Sequence, residues 1–130
     1  MSELTDEARR LLGGGHPAHL ATLLPDGSPH SVPMWVGLEG DRVTILTSDA
    51  TRKARNLERD PRVAVSVVDR DRPATSALVR GRVVEKIEGD RAWEIIDRMS
   101  DAYIGMPYSP RVDRVVYAIE PEHVQVVVIG

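Results

Sequence analysis

Apolar residues recur along this chain at two spacings, one helical and one alternating, and the switches between them mark its elements. Leu4, Ala8, Leu11 and Leu12 fall at i, i+4, i+7 and i+8, one face of a short helix. Ser2 or Thr5 can cap it, and Gly13-Gly14-Gly15 stops it. The period then shortens. His19 to Leu24 predicts a strand, Pro25-Asp26-Gly27-Ser28 a tight turn, and His30 to Leu38 the antiparallel partner. After a turn at Glu39-Gly40-Asp41, the β-branched stretch Arg42 to Thr47 completes a three-strand meander. Thr51 stands where a helix N-cap belongs, Ala54 and Leu57 begin a helical spacing, and Asp60-Pro61 ends it.

Val63 to Val68 is apolar on both faces, which predicts a strand inside the core. Asp69-Arg70-Asp71-Arg72-Pro73 is a charged turn, and Thr75 to Glu85 a further strand in which Gly81 marks a bulge or a close backbone approach. Ala92, Ile96, Met99 and Tyr103, with Trp93 alongside, give an amphipathic helix starting near Gly89. Gly105 to Pro110 breaks it. Two last strands follow, Val112 to Ile119 and His123 to Ile129, separated by Glu120-Pro121-Glu122. The expected fold is mainly β: six to seven antiparallel strands with three peripheral helices, closed into a barrel because closure removes sheet edges. Val124 to Ile129 is nearly all apolar, so its outer face is expected to meet a helix or a second subunit, and a homodimer is the favoured arrangement.

Composition changes this picture by exclusion. A chain of 130 residues with 42% apolar content fits one domain with a real core, spanning residues 1–130. No apolar run approaches the roughly 18 residues of a membrane span. The acidic start has no apolar signal region and there is no cysteine, so the expected compartment is the cytoplasm. A net charge of −3 and 4% aromatics argue against a nucleic-acid partner, which calls for a concentrated positive field or a stacking platform.

The stretch from Thr47 to Leu57 carries the candidate chemistry. A strand runs into a helix N-terminus, where unpaired N–H groups and the positive end of the helix dipole face the same space. The hydroxyls of Thr47, Ser48 and Thr51 and the cations Arg52 and Lys53 stand beside it, which makes an anion cradle suited to phosphate. The alternative is an ordinary surface helix whose Arg52, Lys53, Arg55 and Arg59 are balanced by Asp49, Glu58 and Asp60. Elsewhere the chemistry is sparse. The four histidines offer only His16 and His19 as neighbours, so no metal site is expected, and His30 and His123 read as satisfied surface or edge residues. No serine elbow or thiol nucleophile is present. If the protein is an enzyme, no side chain is assigned a catalytic role and the hard chemistry falls to a cofactor.

Two segments in combination, Leu20 to Val36 and Thr47 to Leu57 followed by Asp60-Pro61-Arg62-Val63, resemble the pyridoxamine-phosphate-oxidase-like, flavin-binding split-barrel family. The similarity is closest to its short branch using the deazaflavin coenzyme F420, and it covers nearly the whole chain. The resemblance implies a six-stranded split barrel, a homodimer, and two cofactor sites in clefts between subunits. It implies that Thr47, Ser48, Thr51, Arg52 and Lys53 hold the cofactor phosphate, that Asn56 is a further cofactor-binding residue, and that Ser31, Val32, Pro33, Met34 and Trp35 lie along the ring. It also implies that Pro107 and Tyr108, in the loop with Met106, reach the partner's site. Core packing is the alternative reading of Met34 and Trp35. The expected cofactor is coenzyme F420, with flavin mononucleotide (FMN) as the alternative, since both carry the phosphate. Arg55, Arg59, Arg70 and Arg72 are candidates to meet the deazaflavin's anionic tail. The activity implied is hydride transfer to a small electron-poor acceptor; a cofactor-binding or storage protein, or a haem- or flavin-binding sensor, stands beside it. The chain lacks the C-terminal substrate-phosphate segment of the vitamin-processing oxidases.

Overall fold

The computed structural model describes residues 4–129, which form seven strands and three helices. Helix α1 spans Asp6–Gly13 and is capped by Thr5, whose hydroxyl accepts from the Ala8 amide at 3.2 Å; Ser2, the other candidate cap, lies outside the described residues. Strands β1 (Ala18–Leu23) and β2 (Pro29–Met34) form the expected hairpin. Its turn is tightened by Asp26, which accepts from the Ser28 amide at 2.9 Å, and by Gly27 at φ 86°.

The first departure comes next. His30 to Leu38 is two strands rather than one, β2 and β3 (Val36–Glu39), with Trp35 between them. The sheet order is β2-β1-β5-β6-β7-β4-β3, so these consecutive segments occupy opposite edges. A single residue joins the two edges, and one residue spans at most about 3.6 Å. The sheet must therefore curl until its edges meet at Trp35, which is how a linear seven-strand order becomes a curled half-barrel.

Strand β4 (Arg42–Thr47), helix α2 (Arg52–Arg59), strands β5 (Arg62–Val68) and β6 (Thr75–Ile87) and helix α3 (Gly89–Ile104) follow as their periodicities indicate. Strand β5 buries Val63, Val65 and Val67 and leaves Ala64, Ser66 and Val68 half-covered, so it is two-faced rather than wholly internal. The last element is the second departure. Where two strands are expected, β7 (Val115–Val128) runs through Pro121 without stopping. Arg80 pairs with His123 and Gly81 with Pro121, which leaves Glu122 as the extra residue of a bulge. A bulge needs no ladder N–H from the proline. Gly81 supplies the room, because a Cβ there would lie 2.1 Å from the Glu120 carbonyl oxygen.

Two apolar cores result. Inside the curl, Leu20, Val36, Ile45, Val67, Val79 and Ile119 meet Leu11 and Leu12 of α1 and Ala54 and Leu57 of α2. Each fully buried side chain of this kind contributes about 1.5–3 kcal/mol. Outside it, α3 packs Ala92, Ile95 and Ile96 on Ile87, Val116 and Ala118, with Leu46, Trp93 and Tyr108 at the margin. No helix among the described residues is long and apolar enough to cross a membrane.

One buried carboxylate ties α1 to the turn after β5. Asp69 accepts from Arg10 at 2.6 Å and from the amides of Asp71 at 2.9 Å and Arg72 at 3.3 Å. The Arg10 guanidinium, helped by those amides, pulls its pKa from 3.8 to about 2 against the opposing effect of desolvation. A carboxylate whose folded pKa is depressed stabilises the fold fully above its unfolded pKa and loses that contribution as the pH falls through the folded value. Acid titration followed by circular dichroism should therefore show stability falling between pH 3.8 and about 2. In Asp69→Asn this part of the fall should be absent; an unchanged acid profile would refute the assignment.

Candidate cofactor site

The turn from β4 into α2 forms as its sequence indicates. Thr51 caps α2, its hydroxyl accepting from the Ala54 amide at 3.2 Å and donating to the Ser48 carbonyl at 3.0 Å. The Thr47 and Thr51 hydroxyls bond each other at 2.8 Å, and Thr47 is buried. Both threonines thus shape the helix start, and Ser48, half-buried, is the hydroxyl at its mouth.

The two cations of the cradle differ. Arg52 is exposed, whereas Lys53 is half-buried. Burial, and then the positive charge of Arg114, push the Lys53 pKa down, and no carboxylate among the described residues acts to restore it. A half-buried ammonium beside a second cation, unpaired among the described residues, is unfavourable unless an anion joins it. Asn56 is not part of this mouth. It is fully buried, donates to the Thr22 hydroxyl at 3.0 Å and accepts from Arg59 at 3.1 Å. Asn56→Ala should cost about 1–3 kcal/mol, because it strands the buried Thr22 hydroxyl. Flavin affinity should not change. Chemical denaturation and fluorescence titration of the same variant check both halves, and a lost affinity at unchanged stability would return Asn56 to the site.

Arg114 links the cradle to an aromatic cluster. Its Nε donates to the Tyr108 hydroxyl at 3.1 Å, and its guanidinium lies 5.7 Å from the Tyr108 ring centre. Tyr108 meets Trp35 edge-on at 5.9 Å and Trp93 at 6.2 Å, while Trp35 stacks on Tyr103 at 5.0 Å with the rings 6° apart. The Tyr103 hydroxyl donates to the His16 carbonyl at 2.6 Å and accepts from the Val36 amide at 3.1 Å, which fixes Tyr103 beneath the bend where β2 becomes β3. Four of the chain's five aromatic residues meet here. Arg111 lies over Trp93 at 4.4 Å and pairs with Asp97 at 2.8 Å. Ser48, Glu88, Trp93, Arg111 and Arg114 line one cavity of about 560 Å³.

The structure thus brings Ser48, Lys53, Trp35 and Tyr108 to one side through Arg114. Thr47, Thr51 and Arg52 stay at the same helix start, and others of the predicted set lie apart. Val32 and Met34 turn inward and pack on the core inside the curl. Ser31 and Pro33 face outward, and Ser31 lines a different groove of about 550 Å³ across β1, β5, β6 and β7, with His19, Ala64, Arg80 and His123. Pro107 is exposed on the loop after α3. Of the four candidate tail cations, Arg55, Arg59 and Arg70 donate to the carbonyls of Ala50, Leu23 and Gly15. His30 departs from the satisfied reading, since its Nδ1 is buried without a partner among the described residues. Sequence reasoning missed Arg114, Arg111 and Tyr103. The available signal was two cations three residues apart between the loop and an apolar strand.

A family profile described as pyridoxamine 5'-phosphate oxidase matches residues 4–128. The chain belongs to the pyridoxamine 5'-phosphate oxidase family. An F420 reductase of known structure is 31% identical, covers 90% of this chain and 94% of its own, and superposes with a TM-score of 0.78. A conserved hypothetical protein of Mycobacterium tuberculosis is 26% identical with a TM-score of 0.79, over 98% of this chain and 85% of its own. A heme binding protein from Mycobacterium smegmatis is 27% identical with a TM-score of 0.71, over 98% of this chain and 55% of its own. No curated protein matches. The pyridoxamine 5'-phosphate oxidase family binds flavins, and the members similar to this chain include both a reductase and a haem binder.

Proposed function

We propose that this chain is a coenzyme F420-dependent oxidoreductase, acting as a homodimer with a cofactor cleft at each subunit boundary. The observation that carries the reading is Lys53, half-buried beside Arg114 with no carboxylate among the described residues acting on it, at the mouth of a capped helix N-terminus. Phosphate fits this donor set: Lys53 and Arg114 would supply its charge partners, and Ser48 with the first amides of α2 would supply neutral donors. Similarity to the F420 reductase supports the deazaflavin over FMN. When bound, the deazaflavin would supply a hydride to a small electron-poor alkene, quinone or tetrapyrrole-like acceptor.

The chain's own residues would bind and orient. Tyr103, held by two hydrogen bonds, stacks on Trp35, and Tyr108 meets Trp35 edge-on while accepting from Arg114, so the cation and the indole keep a set separation through Tyr108. Such positioning is what a cofactor enzyme contributes when no side chain breaks bonds. The proton needed at the acceptor would come from solvent.

Fluorescence titration with F420 and with FMN tests the assignment. F420 should bind more tightly, because its tail carboxylates extend past the phosphate toward exposed cations such as Arg52. Part of that advantage should fade with salt, since exposed pairs are screened over about 8 Å at physiological ionic strength. FMN binding at least as tightly at low salt would move the chain to the flavin-dependent reading, and a saturable haem spectrum without F420 binding would favour the haem reading that the Mycobacterium smegmatis protein supports. Sedimentation of the loaded protein should give about twice the 14.4 kDa chain mass, and a monomer with full affinity would remove the intersubunit cleft.

A further inference from the structure

Residues 105–114, between α3 and β7, form neither helix nor strand, yet they deliver Arg114 to the cofactor cradle. Three side chains of α3 hold them. Ser100 donates to the Met106 carbonyl at 2.6 Å. Asp97, one turn before it, does more. Its Oδ1 accepts from the Tyr108 amide at 3.1 Å and from Arg111 Nη1 at 2.8 Å, while its Oδ2 accepts from Arg111 Nη2 at 3.1 Å. Pairing at two points fixes the direction of a guanidinium as well as its place. Trp93 completes the grip, with the Arg111 guanidinium 4.4 Å above its ring. The Arg111 guanidinium and, after it, the Tyr108 amide hold the Asp97 carboxyl below the usual carboxylate range against desolvation, so it is ionised at neutral pH.

Every hydrogen bond of the Arg114 guanidinium among the described residues goes to this same segment. Its Nε donates to the Tyr108 hydroxyl at 3.1 Å, and its Nη1 donates to the carbonyls of Val112 at 3.0 Å and Asp113 at 3.2 Å. Its Nη2 has no protein partner among the described residues and is left for an anion. We propose, on the phosphate reading of the cradle, that Asp97 is a positioning residue: by latching Tyr108 and Arg111 to α3, it sets the Arg114 guanidinium beside Lys53 before any anion arrives. Without the latch, Arg114 would be ordered only as the phosphate binds, and that lost entropy would be subtracted from affinity. A carboxylate that merely staples a loop to a helix would stabilise the fold without favouring phosphate.

Asp97→Ala alone would free the Arg111 cation at the cavity wall, which favours an anion and opposes the expected loss. Both ends are therefore removed together, since Asp97→Ala/Arg111→Ala leaves the net charge unchanged. FMN and riboflavin, which differ in the phosphate alone, are the probes in fluorescence titration. The native protein should prefer FMN, and the paired variant should shrink that preference roughly two- to twelve-fold, the ordering cost of one long side chain. In an Arg114→Ala background the same pair of substitutions should change the preference little, because the cation it positions is gone. In the unliganded protein, the NMR signal of the Arg114 Nε–H should be sharp in the native chain and lost to solvent exchange in the paired variant. Asp97→Asn keeps an acceptor for the Tyr108 amide and should give a smaller shift in the same direction, which preserves the test if the paired variant does not fold. An unchanged preference, a loss shared equally by riboflavin, or a loss that persists in full without Arg114 would overturn the proposal. Lys53→Ala separates the two readings. FMN affinity that ignores Lys53 removes the cradle itself, whereas FMN affinity that needs Lys53 but not the latch removes only the role of Asp97.

Discussion

Lys53→Ala should weaken phosphate-bearing flavins by about 1.5–3 kcal/mol, roughly 10- to 150-fold, the range for hydrogen bonds to a charged group. Arg114→Ala should act in the same direction. Arg52→Ala should matter less, about 0.2–1 kcal/mol, because Arg52 is exposed and its pairs are screened. Stability should move the other way. Removing Lys53 relieves a half-buried charge held next to Arg114, so thermal melts of the unliganded variant should be unchanged or slightly higher. Lysine with a lowered folded pKa also makes the native chain bind fewer protons than the unfolded one, so stability rises with pH through that range, and Lys53→Ala should flatten the rise. Affinity for the phosphate should fall with pH earlier than an ordinary lysine would dictate. Unchanged affinity in the Lys53→Ala, Arg114→Ala double variant, titrated at low salt, would remove the cradle from the site.

How much of this could be read in advance depends on range along the chain. The caps Thr5 and Thr51 were legible because a cap acts over three residues and leaves a local signature. The break at Trp35 was not, because alternation runs on through His30 to Leu38 and only the long-range sheet order shows that its halves belong to opposite edges. The resemblance alone puts Asn56 among the cofactor-binding residues. Its neighbour Leu57 already marked the buried side of α2, and Thr22, far away in β1, supplies the partner. The same distance hid Arg114. Its charge meets Lys53 only after the chain has gone around the curled sheet, so the feature that best supports a phosphate site was invisible to local spacing. Resemblance located the segment; packing decided which of its residues face outward.

Gly81→Ala should be among the most damaging single-methyl additions in the molecule. The added carbon would lie 2.1 Å from the Glu120 carbonyl oxygen and 3.2 Å from the Pro121 Cα, both backbone atoms that cannot rotate away. Strands β6 and β7 would have to separate at the bulge, where the ladder is already missing a pairing because of Pro121 and Glu122. Overpacking of this kind costs typically 1–3 kcal/mol, and the upper part of that range applies because no side-chain rotamer can absorb it. For a chain of this size the melting temperature should fall by about 5–15 °C. Gly27→Ala is the control. Gly27 also departs from ordinary backbone geometry, at φ 86°, but a Cβ there meets nothing within 4 Å, so its loss reflects backbone strain alone, about 1 kcal/mol. If the two variants melt together, the close approach at Gly81 is not what lets β7 pass through Pro121 as one strand.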